Sequence, residues 1–342
     1  MNSKFLKKIF VWGIFIGAFV AGALIVGYNS FFGSAIRESQ QIFVTDKSEY
    51  EQLAENVKSQ LSNPLKVRAF DLYAARLNLK NRLKAGHYTL AEGMNVVKIV
   101  RMFALGEQTP VNLVVGEART LPQLAGKLSK QIMADSTAIL SAMRNSELKA
   151  TLGYKRDSLI AMFVPNSYQV YWTITPEKLL ERMKRESDAF WNEARTAKLA
   201  RTKLSKYQVM TLASIVYEET KNRGEMPKIA GVYINRLRKG MPLQACPTVK
   251  YAIGDFALTR ILYKHLRYDS PFNTYRNAGL PPAPICIPSI AAIDAVLNYE
   301  SSNYLYFCAK PEFDGTHNFA RTLSEHNANS RRYNEALKRL KK

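Results

Sequence analysis

Cysteine is scarce, with three residues in 342. That excludes a disulfide-rich scaffold and any zinc site built from four thiolates. Repeats of 20–50 residues, sustained heptads and collagen triplets are absent, which removes solenoids, coiled coils and fibres. Acidic residues are few: 28 Asp+Glu stand against 49 Lys+Arg, a formal net charge of +21. An excess of that size calls for anionic surroundings, whether nucleic acid, a phospholipid surface or an acidic polymer. What is present is an ordinary globular composition, 47% hydrophobic and 23% charged, which argues against disorder. The length suggests about two folded units.

Only one long apolar run occurs. Residues 9–28, IFVWGIFIGAFVAGALIVGY, carry no charge. At about 1.5 Å per residue the run spans about 30 Å, the thickness of a bilayer core. Lys4, Lys7 and Lys8 precede it and the next charge is Arg37. The positive-inside rule therefore puts residues 1–8 in the cytoplasm and the body across the membrane, in the periplasm. A cleaved signal peptide is the alternative, with Gly33-Ser34-Ala35 as a small-residue site. The run exceeds the usual h-region of about 7–15 residues, which favours an uncleaved single-pass anchor in the inner membrane. No cysteine follows it closely, so a lipoprotein is excluded. Export of the body sets nucleic acid aside as the partner of the basic charge.

Beyond the anchor the patterns predict an α+β fold in two parts. Residues 40–106 read as a small β-α-α-β-like module: QIFVTD is a strand, YEQLAENVKSQL and FDLYAARLNL are helices, KAGHYTL is a Gly turn and strand, and MNVVKIVRMFALG is a helix stopped by Gly106. Residues 107–342 read as a larger, helix-rich domain. It opens with a strand, a Gly116 turn and a helix starting at Thr120. Residues 126–200 are mostly helical, broken by FVPNSYQVYWTITP. A helix ending at Lys221, another at 227–239, a Gly/Pro-rich stretch at 240–288, a helix at 289–300 and the strand YLYFCA follow.

One carboxylate is the candidate for chemistry. In VMTLASIVYEET, Val209, Leu212, Ile215 and Val216 mark an apolar helical face, and Glu219 continues it, whereas Glu218 lies about 100° round. A carboxyl at the end of an apolar stripe is desolvated, which raises its pKa and suits it to act as a general acid at neutral pH. The same spacing also fits a Glu219 that simply emerges at the helix end and pairs with Lys221 or Arg223. Asp255 and Asp269 are the nearest other acids and read as solvated surface groups.

The string LASIVYEETKNRGEMPKIAGVYINRLRKGMPLQACPTVKYAIG resembles the endolytic murein transglycosylase family (MltG or YceG-like). So do SPFNTYRNAGLPPAPICIPS, YLYFCAKPEFDGTHNFARTLSEHN and the upstream KAGHYTL and VVGEARTL. The resemblance runs in the family's order from about Lys84 to Asn327. It implies a membrane-anchored lyase that cuts within nascent glycan strands of peptidoglycan, between MurNAc and GlcNAc, leaving 1,6-anhydroMurNAc ends and terminating elongation. No cofactor and no metal are implied. The family pattern A-S-I-(V/I)-E-K-E-T places its acid/base on Glu219, with Tyr217 where the family has its first Glu and Glu218 where it has Lys. The resemblance also makes the 40–106 module LysM-like, which reads as glycan binding or as a packing platform.

Substrate-binding roles carried over by the resemblance fall on Asn235, Gln244, Thr248, Asn273, Thr274 and Tyr275. Amides, hydroxyls and a tyrosine face suit sugar recognition, although each could equally cap a turn or satisfy a buried group. His317 and His326 read as structural hydrogen-bonding residues. Cys246 stands where the family commonly has Asp, and Cys286 where it has a small or polar residue; a paired gain in an oxidising compartment suggests a Cys246–Cys286 disulfide, with Cys308 buried in its strand. Anionic phospholipid and carboxylate-bearing stem peptides account for the basic charge, and peptidoglycan synthases are the expected protein partners. A non-enzymatic scaffold and a true hydrolase are the competing readings.

Overall fold

In the computed structural model, residues 3–46, 49–154, 158–258 and 260–340 are described. The expected cytoplasmic segment 1–8 lies partly outside them, at Met1 and Asn2. Helix α1 (Ser3–Phe32) contains the apolar run and extends beyond it. Its Lys8–Phe32 portion, 25 residues of mean hydropathy 2.6 and exposed except at the partly buried Ser30 and Phe31, is long and apolar enough to cross a membrane.

The chain divides into two units, Met1–Asn112 with Gln169–Ile174, and Leu113–Tyr168 with Thr175–Lys342. In the first, α1 is followed by β1 (Gln40–Val44), α2 (Tyr50–Gln60), α3 (Pro64–Arg76), α4 (Leu79–Arg82), β2 (Gly86–Leu90) and α5 (Val96–Leu105). The two strands pair antiparallel from Gln40 opposite Leu90 to Val44 opposite Gly86. Alternation aims Ile42, Val44, Tyr88 and Leu90 inward. They meet Val96, Ile99, Val100 and Phe103, the i, i+3, i+4, i+7 stripe of α5. Each fully buried side chain of this kind is worth about 1.5–3 kcal/mol. Asn63 and Asn95 accept from the Lys66 and Lys98 amides and start α3 and α5. Gly106 ends α5 at φ 73°, a left-handed cap that favours glycine. Ala35 and Ile36, just past α1, are part of the same core.

The second unit contains β3 (Val111–Val115), α6 (Leu121–Leu128), α7 (Ser136–Arg144), α8 (Ser146–Thr151), β4 (Asn166–Val170), α9 (Pro176–Phe190), α10 (Glu193–Thr202), α11 (Lys206–Glu219), α12 (Met226–Arg238), α13 (Cys246–Ile253), α14 (Tyr263–Leu266), α15 (Ile290–Leu297), β5 (Tyr306–Ala309), β6 (His317–Ala320) and α16 (Leu323–Leu340). The division falls within β3 and β4, whose first and last residues belong to different units. The break expected inside 126–200 holds strand β4, and the Gly/Pro-rich stretch holds two short helices, α13 and α14. Pro247 at the start of α13 and Gly254 at its left-handed end frame a helix too short for a periodicity signal.

The core of this unit is α11 packed against α12 and α15. Ser205 and Gln208 form a capping box at the α11 N-terminus. Only one apolar face was expected for α11, yet every residue from Val209 to Val216 is buried. The polar ones are accommodated locally: the Thr211 hydroxyl donates to the Tyr207 carbonyl (3.0 Å), and that of Ser214 donates to the Thr211 carbonyl (2.7 Å) and accepts from the Ile285 amide (3.0 Å). On α12, Gly231 lies against the Glu300 carbonyl oxygen, with which any Cβ would collide. β5 and β6 form an antiparallel hairpin, Tyr306 opposite Ala320 and Ala309 opposite His317.

Candidate active site

The last turn of α11 carries three polar side chains with different fates. Tyr217, Glu218 and Glu219 are all partly buried, at the point where the fully buried stretch ends. Glu218 is ion-paired: one terminal nitrogen of Arg119 donates to both of its oxygens, at 3.1 and 2.9 Å. Arg119 also lies 3.7 Å from Glu117 and 5.1 Å from the centre of the Phe256 ring. Tyr217 faces Lys221, whose ammonium sits 3.3 Å from the ring centre. A cavity of about 490 Å³ beside it is lined by Glu117, Tyr217, Arg223, Ser289 and Asp294 among others. Glu219 is not among its lining residues, so this cavity belongs to the Tyr217 side of the helix end.

Glu219 has no cation partner among the described residues. Neither Lys221 nor Arg223 pairs with it; the Lys221 ammonium donates to the Tyr217 carbonyl at 2.9 Å. Its one hydrogen bond comes from Tyr233 on α12, whose hydroxyl donates to Oε1 at 2.8 Å. Burial pushes the Glu219 carboxyl up to about 7; the Tyr233 hydrogen bond opposes the rise and the Glu218 charge adds to it. The two adjacent carboxyls thus sit in different surroundings, Glu218 paired with a guanidinium and Glu219 buried without a cation and raised to about 7. Tyr233 is 2% exposed and its ring meets Phe307 edge-on at 5.7 Å. Burial and the adjacent Glu219 push its hydroxyl well above the usual range, so it remains a donor.

Behind this pair, residues singled out in the sequence assemble into one hydrogen-bonded shelf. The Thr248 and Thr274 hydroxyls lie 2.8 Å apart, the Thr248 hydroxyl donates to the Ala245 carbonyl (2.7 Å), and the Ala245 amide donates to the Thr274 hydroxyl (3.0 Å). The Asn273 amide donates to the Leu266 and Tyr268 carbonyls, at 3.0 and 2.8 Å, while its oxygen accepts from the Tyr275 amide at 3.0 Å. Thr248, Asn273 and Thr274 are at most 1% exposed. Their polar atoms hold the loop in place, and the groups left facing outward are Gln244 and the partly buried Tyr275. Gln244 has φ 51°, an uncommon backbone region for a residue with a Cβ, pinned by its amide donating to the Thr274 carbonyl (3.0 Å). The Tyr275 hydroxyl contacts the Cys246 thiol at 3.3 Å. Burial pushes both groups up, and the Glu219 charge adds to the rise in each. Asn235 stands apart: its amide donates to the Ser302 and Tyr304 carbonyls, at 2.7 and 3.0 Å, tying α12 to the approach to β5.

The expected Cys246–Cys286 disulfide is not formed, and all three cysteines are free. Cys246 is exposed beside Tyr275, whereas Cys286 is fully buried with its thiol 3.7 Å from the Ser214 carbonyl on α11. Cys308 is partly buried in β5. His317 accepts the structural role expected of it, its Nδ1 2.9 Å from Glu225 and its amide donating to the same carboxylate. His326 stacks on Tyr306. No group of three or more His, Cys, Asp or Glu suited to a metal occurs among the described residues.

Sequence reasoning missed Tyr233, Arg119 and Arg236. Tyr233 sits on the apolar stripe Ile229, Ala230, Ile234 of α12 and reads as core. Arg119 reads as part of a turn. Arg236, 7% exposed, donates to the Leu305, Pro242 and Leu243 carbonyls and to the Gln244 side chain, so it supports the shelf from below. None of the three carries a local signal for these roles, because Arg119 meets Glu218 across 99 residues, Tyr233 meets Glu219 across 14 and Arg236 meets the Leu305 carbonyl across 69.

The profile of the YceG-like family matches residues 42–332. A Bacillus subtilis protein named endolytic murein transglycosylase is 30% identical over 289 residues, covering 78% of this chain and 77% of its own length. A Streptococcus pneumoniae protein of the same name is 30% identical over 290 residues, and there the chain spans about half (52%) of the relative. A crystal structure of a yceG-like protein from Listeria monocytogenes, 30% identical, superposes with a TM-score of 0.58 over 85% of this chain and 98% of that one. Profile, relatives and fold agree over most of the chain, which belongs to the YceG-like family.

Proposed function

We propose that this chain is an endolytic peptidoglycan lytic transglycosylase, a lyase, with Glu219 as its single general acid/base. The observation that carries the reading is the Glu219 carboxyl itself: raised to about 7, without a cation, and hydrogen-bonded on one oxygen by a buried tyrosine. A hydrogen bond accepted at Oε1 leaves Oε2 to carry the proton. That proton goes to the oxygen bridging MurNAc to GlcNAc as the glycosidic bond breaks and an oxocarbenium-like centre forms at the MurNAc anomeric carbon. The carboxylate so produced then takes the proton of the MurNAc 6-hydroxyl, whose oxygen closes the 1,6-anhydro ring. Glu219 ends protonated as it began, and no water is consumed. Because the nucleophile is part of the substrate, a second carboxylate is not required, and Glu218, tied to Arg119, is not needed as one.

Gln244 and Tyr275 are the shelf residues placed to touch the glycan, Tyr275 with a ring face and a hydroxyl. Thr248, Asn273 and Thr274 act through them by holding the loop, and Asn235 by holding α12. The 40–106 module is a LysM-like glycan-binding element, and α1 anchors the protein in the cytoplasmic membrane with its N-terminus inside. Cleavage within nascent strands terminates their elongation, with peptidoglycan synthases as partners. The test is full-length protein in detergent on uncrosslinked glycan strands, followed by strand length: wild type shortens them and Glu219→Gln does not. Equal shortening by the variant would remove Glu219 from the mechanism.

A further inference from the structure

Helix α3 packs directly against the end of α1. The Lys66 ammonium donates to the Asn29 carbonyl in the last turns of α1 (3.4 Å) and to the Ser34 carbonyl just beyond it, and Phe31 meets Tyr73 edge-on at 6.5 Å. Lys66 is only 6% exposed, so this junction is built in and not incidental. At about 1.5 Å per residue the 25-residue apolar portion of α1 is about 37 Å long, more than a hydrocarbon core of about 30 Å. Its final turn, with Tyr28 stacked on Phe32 at 5.0 Å, falls at the depth where aromatic side chains collect.

The outward edge of α3 is unlike an ordinary solvated helix face. Leu65 is 50% and Leu72 64% exposed, seven residues apart and therefore on one side. On a wheel of about 100° per residue, Leu65, Leu72 and Arg76 lie on the exposed arc nearest the Lys66 and Tyr73 side that touches α1. Arg68 and Arg76 are exposed and form no hydrogen bond or ion pair among the described residues, while the one acid on that face, Asp71, is neutralised by Lys58 at 2.6 Å. Two apolar side chains and two free guanidiniums beside the end of a bilayer-spanning helix match an interfacial surface in composition and in charge.

We propose that Leu65, Arg68, Leu72 and Arg76 of α3 form a membrane-docking edge that rests on an anionic phospholipid layer at the outer end of α1, fixing the module against the bilayer. The proposal rests on reading α1 as a membrane span. It is tested with the full chain in nanodiscs of phosphatidylethanolamine and phosphatidylglycerol, carrying the photocrosslinker benzoylphenylalanine at Leu65, Leu72, Phe15 or Phe43. Phe15 lies within α1, and Phe43, 50% exposed on β1, is the control for an apolar side chain away from the junction. Lipid adducts at Leu65 and Leu72 at least about tenfold above Phe43 are expected, falling several-fold when phosphatidylcholine replaces phosphatidylglycerol. Adducts at Phe15 but not at Leu65 or Leu72 would overturn the docking edge and leave the anchor standing. No adduct at Phe15 would overturn the anchor and the edge together. Crosslinks from Leu72 to a second copy of the chain, in place of lipid, would make the edge a self-association surface and also contradict it.

Discussion

The Tyr233 hydroxyl donates to Oε1 of Glu219 across 2.8 Å, from a helix that begins seven residues after Glu219. This contact stabilises the charged form of the carboxyl, while burial and the charge on Glu218 favour the protonated form. The value near 7 is the balance of these opposing influences, and the Tyr233 hydrogen bond and the Glu218 charge can each be removed singly.

Activity requires the protonated acid, so it declines on the alkaline side as Glu219 loses its proton. Tyr233→Phe removes the hydrogen bond that favours the carboxylate, so the alkaline limb moves to higher pH. Glu218→Gln removes a like charge, so the limb moves to lower pH. Profiles of kcat/KM against pH for the two variants are expected to bracket wild type; shifts of the same sign in both would contradict the assignment.

The raised carboxyl also affects stability. Its folded-state value of about 7 exceeds the ordinary 4.5, so the folded state holds its proton more tightly. The contribution is full below the ordinary value and is lost as pH rises from about 4.5 through about 7. Glu219→Gln cannot ionise and escapes that loss. Thermal unfolding is expected to find the variant more stable than wild type at pH 8, by up to about 3 kcal/mol, with the difference shrinking towards pH 4.

Much of this architecture is legible in the sequence because it depends on local patterns. The i, i+3, i+4 stripe of α5, the Gly106 stop and the Thr120 cap each depend on residues within two turns of one another. Glu219 stands out in the sequence by its helical position and by the motif around it, and the structure gives it a buried, raised carboxyl. What stayed hidden is tertiary. Tyr233 and Arg119 look like a core residue and a turn residue until folding brings them to the two glutamates. Thr248 and Thr274 read equally as sugar ligands or as satisfied buried groups, and only the fold shows them facing each other, 26 residues apart in the chain. The paired cysteines suggested a bond, but Cys286 sits under the Ser214 carbonyl while Cys246 faces Tyr275. A short helix such as α13 lacks the length for its period to show.

The shelf residues should separate in kinetics. Thr248→Val leaves the Thr274 hydroxyl without its buried partner and is expected to cost about 1–3 kcal/mol of stability, read as a lower Tm. Tyr275→Ala is expected to raise KM with a smaller effect on Tm, since the proposed function gives its ring a contact with the glycan. A KM effect for Thr248→Val at unchanged Tm would reverse the two roles.

The thiols give a chemical check. Brief alkylation of the folded protein without reductant is expected to label Cys246 and spare the fully buried Cys286, which reacts only after unfolding. Partial desolvation of its thiol beside Tyr275 raises Cys246, so its labelling accelerates as pH increases. An intact mass showing two hydrogens missing before treatment would instead establish a bond between cysteines.

The central claim is that one carboxyl on α11 cleaves glycan without water. Mass spectrometry of muropeptides from uncrosslinked strands, digested by wild type and by Glu219→Gln, tests it most directly. The expected result is 1,6-anhydro ends about 18 Da lighter than hydrolytic ends, present with wild type and absent with the variant. Ends of full hydrolytic mass, or anhydro ends formed equally by the variant, would contradict it.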